Sequence, residues 1–190
     1  DTGPVTVNFQ VGGKEVQTPT GDLVTSKQLQ LSRGAEGKKL DKDYSNRNGF
    51  DAKFIKGLDV DLATIVAPRK ARIAPLLDGS ADGVLDYQNF SLIMDKKRAF
   101  AMITATNIDG VSYLAIDRKT GQVGEGEGET WYKDRRISED LYVGQDFYSN
   151  WSHKFDRGHL TRRNDPTWGS EEEAERANAD TFHFTNCTPQ

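Results

Sequence analysis

The 190-residue chain is poor in the features that stabilise small secreted scaffolds or membrane spans. It has one cysteine, Cys187, so neither an intramolecular disulfide nor a CxxC redox or zinc pair can form. No apolar run approaches the roughly 18 residues that cross a bilayer, which excludes a membrane-spanning helix. The hydrophobic share is 35%, with six prolines and three histidines. That content supports a modest core rather than a large one. Positive charge is not in excess: the formal net charge is −4. A bulk polycation holding nucleic acid by charge alone is thereby excluded, but a local basic groove is not.

Aromatic residues are what the chain does have: nine Phe, six Tyr and three Trp. Residues 1–45 offer few apolar anchors beyond an alternating stretch from Val5 to Val11, and read as a linker or peripheral arm. Residues 46–86 hold short apolar groups, with Pro68 and Pro75 precluding a long helix. Tyr87–Met94, Phe100–Asn107 and Val111–Ile116 are rich in strand-forming residues. Polar turns separate them, including Asp109-Gly110, so an antiparallel meander is expected. Residues 117–130 read as a Gly- and Glu-rich surface loop, and Trp131–Arg136 as a basic-aromatic surface edge. Ser170 followed three positions later by Glu173 carries the signature of a capped helix over 171–179. The alternation from Asp180 to Asn186 predicts another strand.

Chemistry concentrates in Phe155–Pro166, where Arg157 and His159 flank Gly158, and Arg162 and Arg163 follow. A histidine titrating near neutrality can take a proton from water. Arginines hold phosphate through paired donors. Phosphodiester hydrolysis needs both a base and positive charge on the phosphoryl oxygens. Composition alone leaves open a plain surface histidine in a polar loop. A second constellation pairs His183 with Cys187 at a spacing seen in zinc sites, with His153 and His159 as further candidates. That signal is weak, because a lone cysteine is usually a small buried hydrophobe.

Asp156-Arg157-Gly158-His159 resembles the signature of the DNA/RNA non-specific endonucleases, the ββα-metal nucleases of the endonuclease G type. The likeness continues through Leu160, Arg162, Arg163, Asp165, Trp168 and Gly169, and through Asn178–Gln190. Upstream, Asp86–Met94 and Thr106–Gly110 are similar to core strands of the bacterial branch. The resemblance implies an α+β fold with an antiparallel sheet core and short helices. It implies hydrolysis of DNA and RNA without sequence preference, dependent on Mg²⁺ or another divalent cation such as Mn²⁺.

The resemblance also assigns roles. His159 matches the general base and Arg157 the arginine beside the scissile phosphate. Asp156 and Asn186 match supporting positions, with a turn-capping role as the alternative for Asn186. Arg162 and Arg163 fall where a phosphate groove would lie, or one of them pairs with Asp165 or Glu171. Trp168 and His183 fall at packing positions. The asparagine that holds the metal in this family would lie beyond Gln190, so no metal ligand is assigned within the chain. Residues 46–190 are then the N-terminal part of a nuclease domain whose catalytic helix comes from a following segment or a second chain. The partners implied are DNA and RNA backbones, with no membrane. The bacterial branch implies a secreted or exported protein. The competing expectation is a non-catalytic nucleic-acid-binding or interaction fragment of a larger protein.

Overall fold

In the computed structural model, residues 43–116, 131–152 and 154–190 are described. Three strands form the main sheet in the order β1-β2-β3: β1 (Val84–Tyr87), β2 (Phe90–Asp95) and β3 (Phe100–Thr106), all antiparallel. A second sheet pairs β4 (Arg157–His159) with β5 (Cys187–Pro189), also antiparallel. The helices are short: α1 (Leu62–Val66), α2 (Gln145–Asn150) and α3 (Glu171–Asp180), with single 3₁₀ turns between elements. The α+β architecture with antiparallel sheets is the expected one.

Local sequence explains most of these elements. Asp61 caps α1 by accepting hydrogen bonds from the backbone N–H groups of Ala63 and Thr64. Pro68 then opens a 3₁₀ segment, Ala67–Arg72, so no long helix forms. The α3 cap is a full capping box: Ser170 Oγ accepts from Glu173 N, and Glu173 Oε2 accepts from Ser170 N. Three glutamates occupy its first turn, where the helix dipole favours negative charge.

Several expected strands fall elsewhere. Tyr87–Met94 is not one strand. The chain turns at Gln88-Asn89, with Asn89 at φ 66°, and asparagine tolerates this left-handed region better than most residues. Asn89 is held there by buried side-chain bonds to Asn48 and to the Pro166 carbonyl. The third strand of the hairpin pair is therefore β1, upstream of the turn. Val111–Ile116 makes only an isolated bridge from Tyr113 to Trp168, and Val111 is 98% exposed. Asp180–Asn186 is not a strand either. Asp180 ends α3, Phe184–Asn186 forms a 3₁₀ turn, and pairing resumes at Cys187. The apolar alternation there reflects burial on all sides rather than a pleat. The strand candidate Val5–Val11, the loop 117–130 and His153 lie outside the described residues.

The core gathers Leu85, Tyr87, Phe90, Leu92 and Met94 from β1 and β2 with Trp131, Ile137, Tyr142, Tyr148, Phe182 and Phe184. Every residue of β2, the central strand, is buried. A polar network runs through this core. Arg47 Nε and Nη2 donate to Asp180 at 2.7 and 3.0 Å, and both side chains are fully buried. Asp180 also accepts from the Gln88 N–H at 2.9 Å. Arg136 donates to Asp134 and stacks over the Tyr44 ring at 3.8 Å. Tyr87 OH donates to Asp134 at 2.5 Å and lies 2.7 Å from Thr185 Oγ1. The network ties Tyr44–Arg47 and Trp131–Arg136 to the end of α3. The basic-aromatic segment is a surface edge only in part: Lys133 and Arg135 are exposed, but Trp131 is buried against His159, Phe182 and Phe184, and Asp134 is buried against Tyr87 and Arg136.

Candidate active site

Arg157, Gly158 and His159 form β4, so alternation along the strand puts Arg157 and His159 on one face. Antiparallel register sets His159 opposite Cys187 and Gly158 opposite Thr188. Gly158 is buried, and a Cβ there would run into the Gln190 side chain. The absence of a side chain lets β5 come close. Backbone bonds between Asp156 and Gln190 at 2.9 and 3.1 Å close the end of this small sheet.

The His159 ring is half-buried between aromatic rings. Trp131 lies 4.6 Å away, centroid to centroid, and the Phe182 edge 4.7 Å away. These two ring contacts fix the orientation of the imidazole. Trp131 was not singled out as a site residue from the sequence; its position beside His159 depends on a contact across 28 residues of chain.

Asn186 anchors the segment after His159. Its Oδ1 accepts from the Thr161 N–H at 2.8 Å, and its Nδ2 donates to the carbonyls of Thr161 and Thr181 at 3.0 and 2.9 Å. Its backbone carbonyl accepts from Leu160 N at 2.9 Å. The side chain is fully buried, and both amide atoms are committed to backbone. Arg157 Nη1 donates to Gln145 Oε1 on α2 at 2.9 Å. Asp156 is exposed beside it.

Arg162 and Arg163 diverge. Arg162 is exposed and makes a two-pronged pair with Asp165 at 3.0 and 3.1 Å. Arg163 donates to the Ile116 carbonyl and to Asn164 Oδ1. Both guanidiniums thus hold the loop after β4 in shape.

Among the described residues, His183 and Cys187 are committed to other partners rather than to a shared zinc site. Cys187 Sγ donates to Tyr148 OH at 3.2 Å, and burial pushes its thiol pKa up to about 11. His183 is fully buried, with Nδ1 against the Asp180 carbonyl at 2.8 Å and Nε2 against Tyr44 OH at 2.7 Å. Since a carbonyl only accepts, Nδ1 carries the proton and Nε2 accepts from Tyr44. Burial lowers the His183 pKa, against the opposing pull of Asp134 and Asp180. No group of three or more His, Cys, Asp or Glu side chains suited to a metal occurs among the described residues. Asn186 is committed to backbone groups, and none of the described residues around His159 is assigned as a cation ligand.

The DNA/RNA non-specific endonuclease family matches residues 70–190, more than half of the chain and the whole of the β4–β5 site. The chain belongs to this family. A further relative is the uncharacterised protein y4fB of Sinorhizobium fredii (strain NBRC 101917 / NGR234), 36% identical over 154 residues. The match covers 77% of this chain and 22% of that protein, so the chain spans about a fifth of its relative's length. The DNA/RNA non-specific endonucleases are nucleic-acid hydrolases that generally use divalent cations. No helix among the described residues of this endonuclease-family chain is long and apolar enough to cross a membrane.

Proposed function

We propose that this domain hydrolyses phosphodiester bonds of DNA and RNA without sequence preference, with His159 as general base. The observation that carries the reading is the placement of His159 on β4, oriented by Trp131 and Phe182 and sharing a strand face with Arg157. Neutral His159 takes the proton from a water molecule. The water oxygen then bonds to phosphorus as the bond to the leaving oxygen breaks. Arg157 offsets charge on the phosphoryl oxygens, and Gln145 restrains its guanidinium. Asn186 acts as a positioning residue, holding the Leu160–Thr161 backbone that follows the base. Binding through the backbone makes affinity independent of sequence and sensitive to salt. The reaction is expected to require a divalent cation, as is general in the family.

The test uses the full-length protein with plasmid and RNA substrates and Mg²⁺. Loss of a general base costs roughly 10²–10⁴-fold in rate, and His159→Ala should show that loss while duplex binding survives. His159→Asn, which retains a polar planar side chain in the aromatic slot, controls for packing. Parent-like cleavage by both variants would refute the assignment of the base.

A further inference from the structure

Away from β4, the fold assembles a second concentration of charge. The 3₁₀ segment Ala67–Arg72 carries Arg69, Lys70 and Arg72 in its last turn. The β2–β3 turn carries Lys96, Lys97 and Arg98. These stretches are far apart in sequence, but the backbone joins them: Lys96 N donates to the Arg72 carbonyl at 2.9 Å and Ala74 N to the Met94 carbonyl at 2.9 Å. Ile73 bridges to Asp95. Six cations therefore meet at one end of the sheet in a chain whose net charge is −4.

Two acids lie nearby. Asp95 is buried and already engaged by Arg72 and by the Lys97 and Arg98 N–H groups. Asp82 lines an apolar groove together with Lys70. Arg69, Lys70, Lys96, Lys97 and Arg98 are all exposed, and among the described residues no ion pair or side-chain hydrogen bond holds them. Nothing in the folding of the turn calls for the three charges, because Asp95 organises it through backbone N–H groups.

The position of the patch suggests its use. Thr106, at the opposite end of β3, contacts Thr161 in the segment that follows His159. The seven residues of β3 span roughly 20 Å at about 3.3 Å per residue. At about 3.4 Å per base pair, that distance is roughly six base pairs of duplex.

We propose that Arg69, Lys70, Lys96, Lys97 and Arg98 form a second contact for the phosphate backbone, engaging nucleic acid about six base pairs from the bond at His159. The proposal rests on the reading of the domain as a nuclease, and its test is a binding measurement that does not depend on cleavage.

Fluorescence anisotropy would compare a 6-base-pair and a 30-base-pair labelled duplex without divalent cation. The variants are the triple Lys96→Gln, Lys97→Gln, Arg98→Gln and the double Arg69→Gln, Lys70→Gln. Each lost phosphate contact lowers the salt slope by about 0.9. The triple variant should therefore lose about 2–3 in slope on the long duplex, equivalent to a roughly 40- to 300-fold weaker Kd at about 0.15 M salt, referred to about 1 M. Binding of the short duplex and the thermal midpoint should match the parent. Parent-like Kd and slope on the long duplex would overturn the proposal, even if the domain cleaves DNA. An unchanged duplex affinity with weakened binding of polyglutamate would overturn it in favour of an acidic protein partner. Weakened long-duplex binding in a domain that never cleaves would uphold the patch and refute the nuclease reading.

Discussion

Replacing Asn186 by alanine should loosen the segment that carries the candidate base, by an amount set by three buried hydrogen bonds. The amide accepts from Thr161 N–H and donates to the carbonyls of Thr161 and Thr181. A buried donor left unsatisfied costs about 1–3 kcal/mol, and a typical bond contributes about 0.5–1.5 kcal/mol net. The Thr161 N–H falls in the first class and the two carbonyls, each with a second lone pair, in the second. The total is about 4 kcal/mol. For a chain of this size, about 2–4 °C is lost per kcal/mol, so the midpoint should drop by about 8–16 °C. Urea unfolding with an unchanged m-value would give the free energy directly.

Asn186→Asp sharpens the same prediction through pH. The acceptor toward Thr161 N–H is kept, but the two carbonyls now face a carboxylate, which repels them and is cut off from water. The folded-state pKa of this Asp must therefore rise above its unfolded value near 3.9. A raised folded pKa gives stability that is present below the unfolded pKa and lost as pH rises through the folded one. The deficit of Asn186→Asp against the parent should be small near pH 3.5 and should grow toward neutrality. An alanine variant within about 1 kcal/mol of the parent, together with an aspartate deficit that does not vary with pH, would refute the assigned role.

The buried pair and the buried histidine give two further expectations. Arg47→Met or Asp180→Asn alone should each cost about 3–5 kcal/mol, because each leaves an uncompensated buried group. The double variant should cost less than the sum in denaturant titrations, and strict additivity would refute the coupling. His183 has a folded pKa lowered by burial, so its contribution is present above the unfolded value near 6.5 and lost as pH falls below it. Stability of the parent should decline between pH 7 and pH 5, by up to about 1.4 kcal/mol per pH unit from this proton. Denaturation of His183→Gln over the same range should lack that component; an identical slope would place the titration elsewhere.

Short-range chemistry was readable from residue order alone. The α3 capping box needs only Ser170 and Glu173 three positions apart, and Pro68 cannot lie in the interior of an α-helix, so α1 stops before it. The segment holding Arg157, Gly158 and His159 was legible as a chemical cluster, and its likeness to the non-specific endonucleases is matched by the family comparison over residues 70–190. Other features depended on contacts between distant residues. Asn89 could turn because Asn48 and Pro166 hold its side chain, which splits an apparent eight-residue strand. Asp180–Asn186 alternates like a strand, yet Asp180 is drawn into α3 and into the Arg47 pair. Trp131 sits in a sequence rich in basic residues but packs on His159 once β4 and the end of α3 close around it. Hydrogen bonds within a few residues depend on local order, and the chain writes them openly. Burial, register and the meeting of Arg69–Arg72 with Lys96–Arg98 depend on which surfaces the fold brings together, and only the tertiary structure decides that.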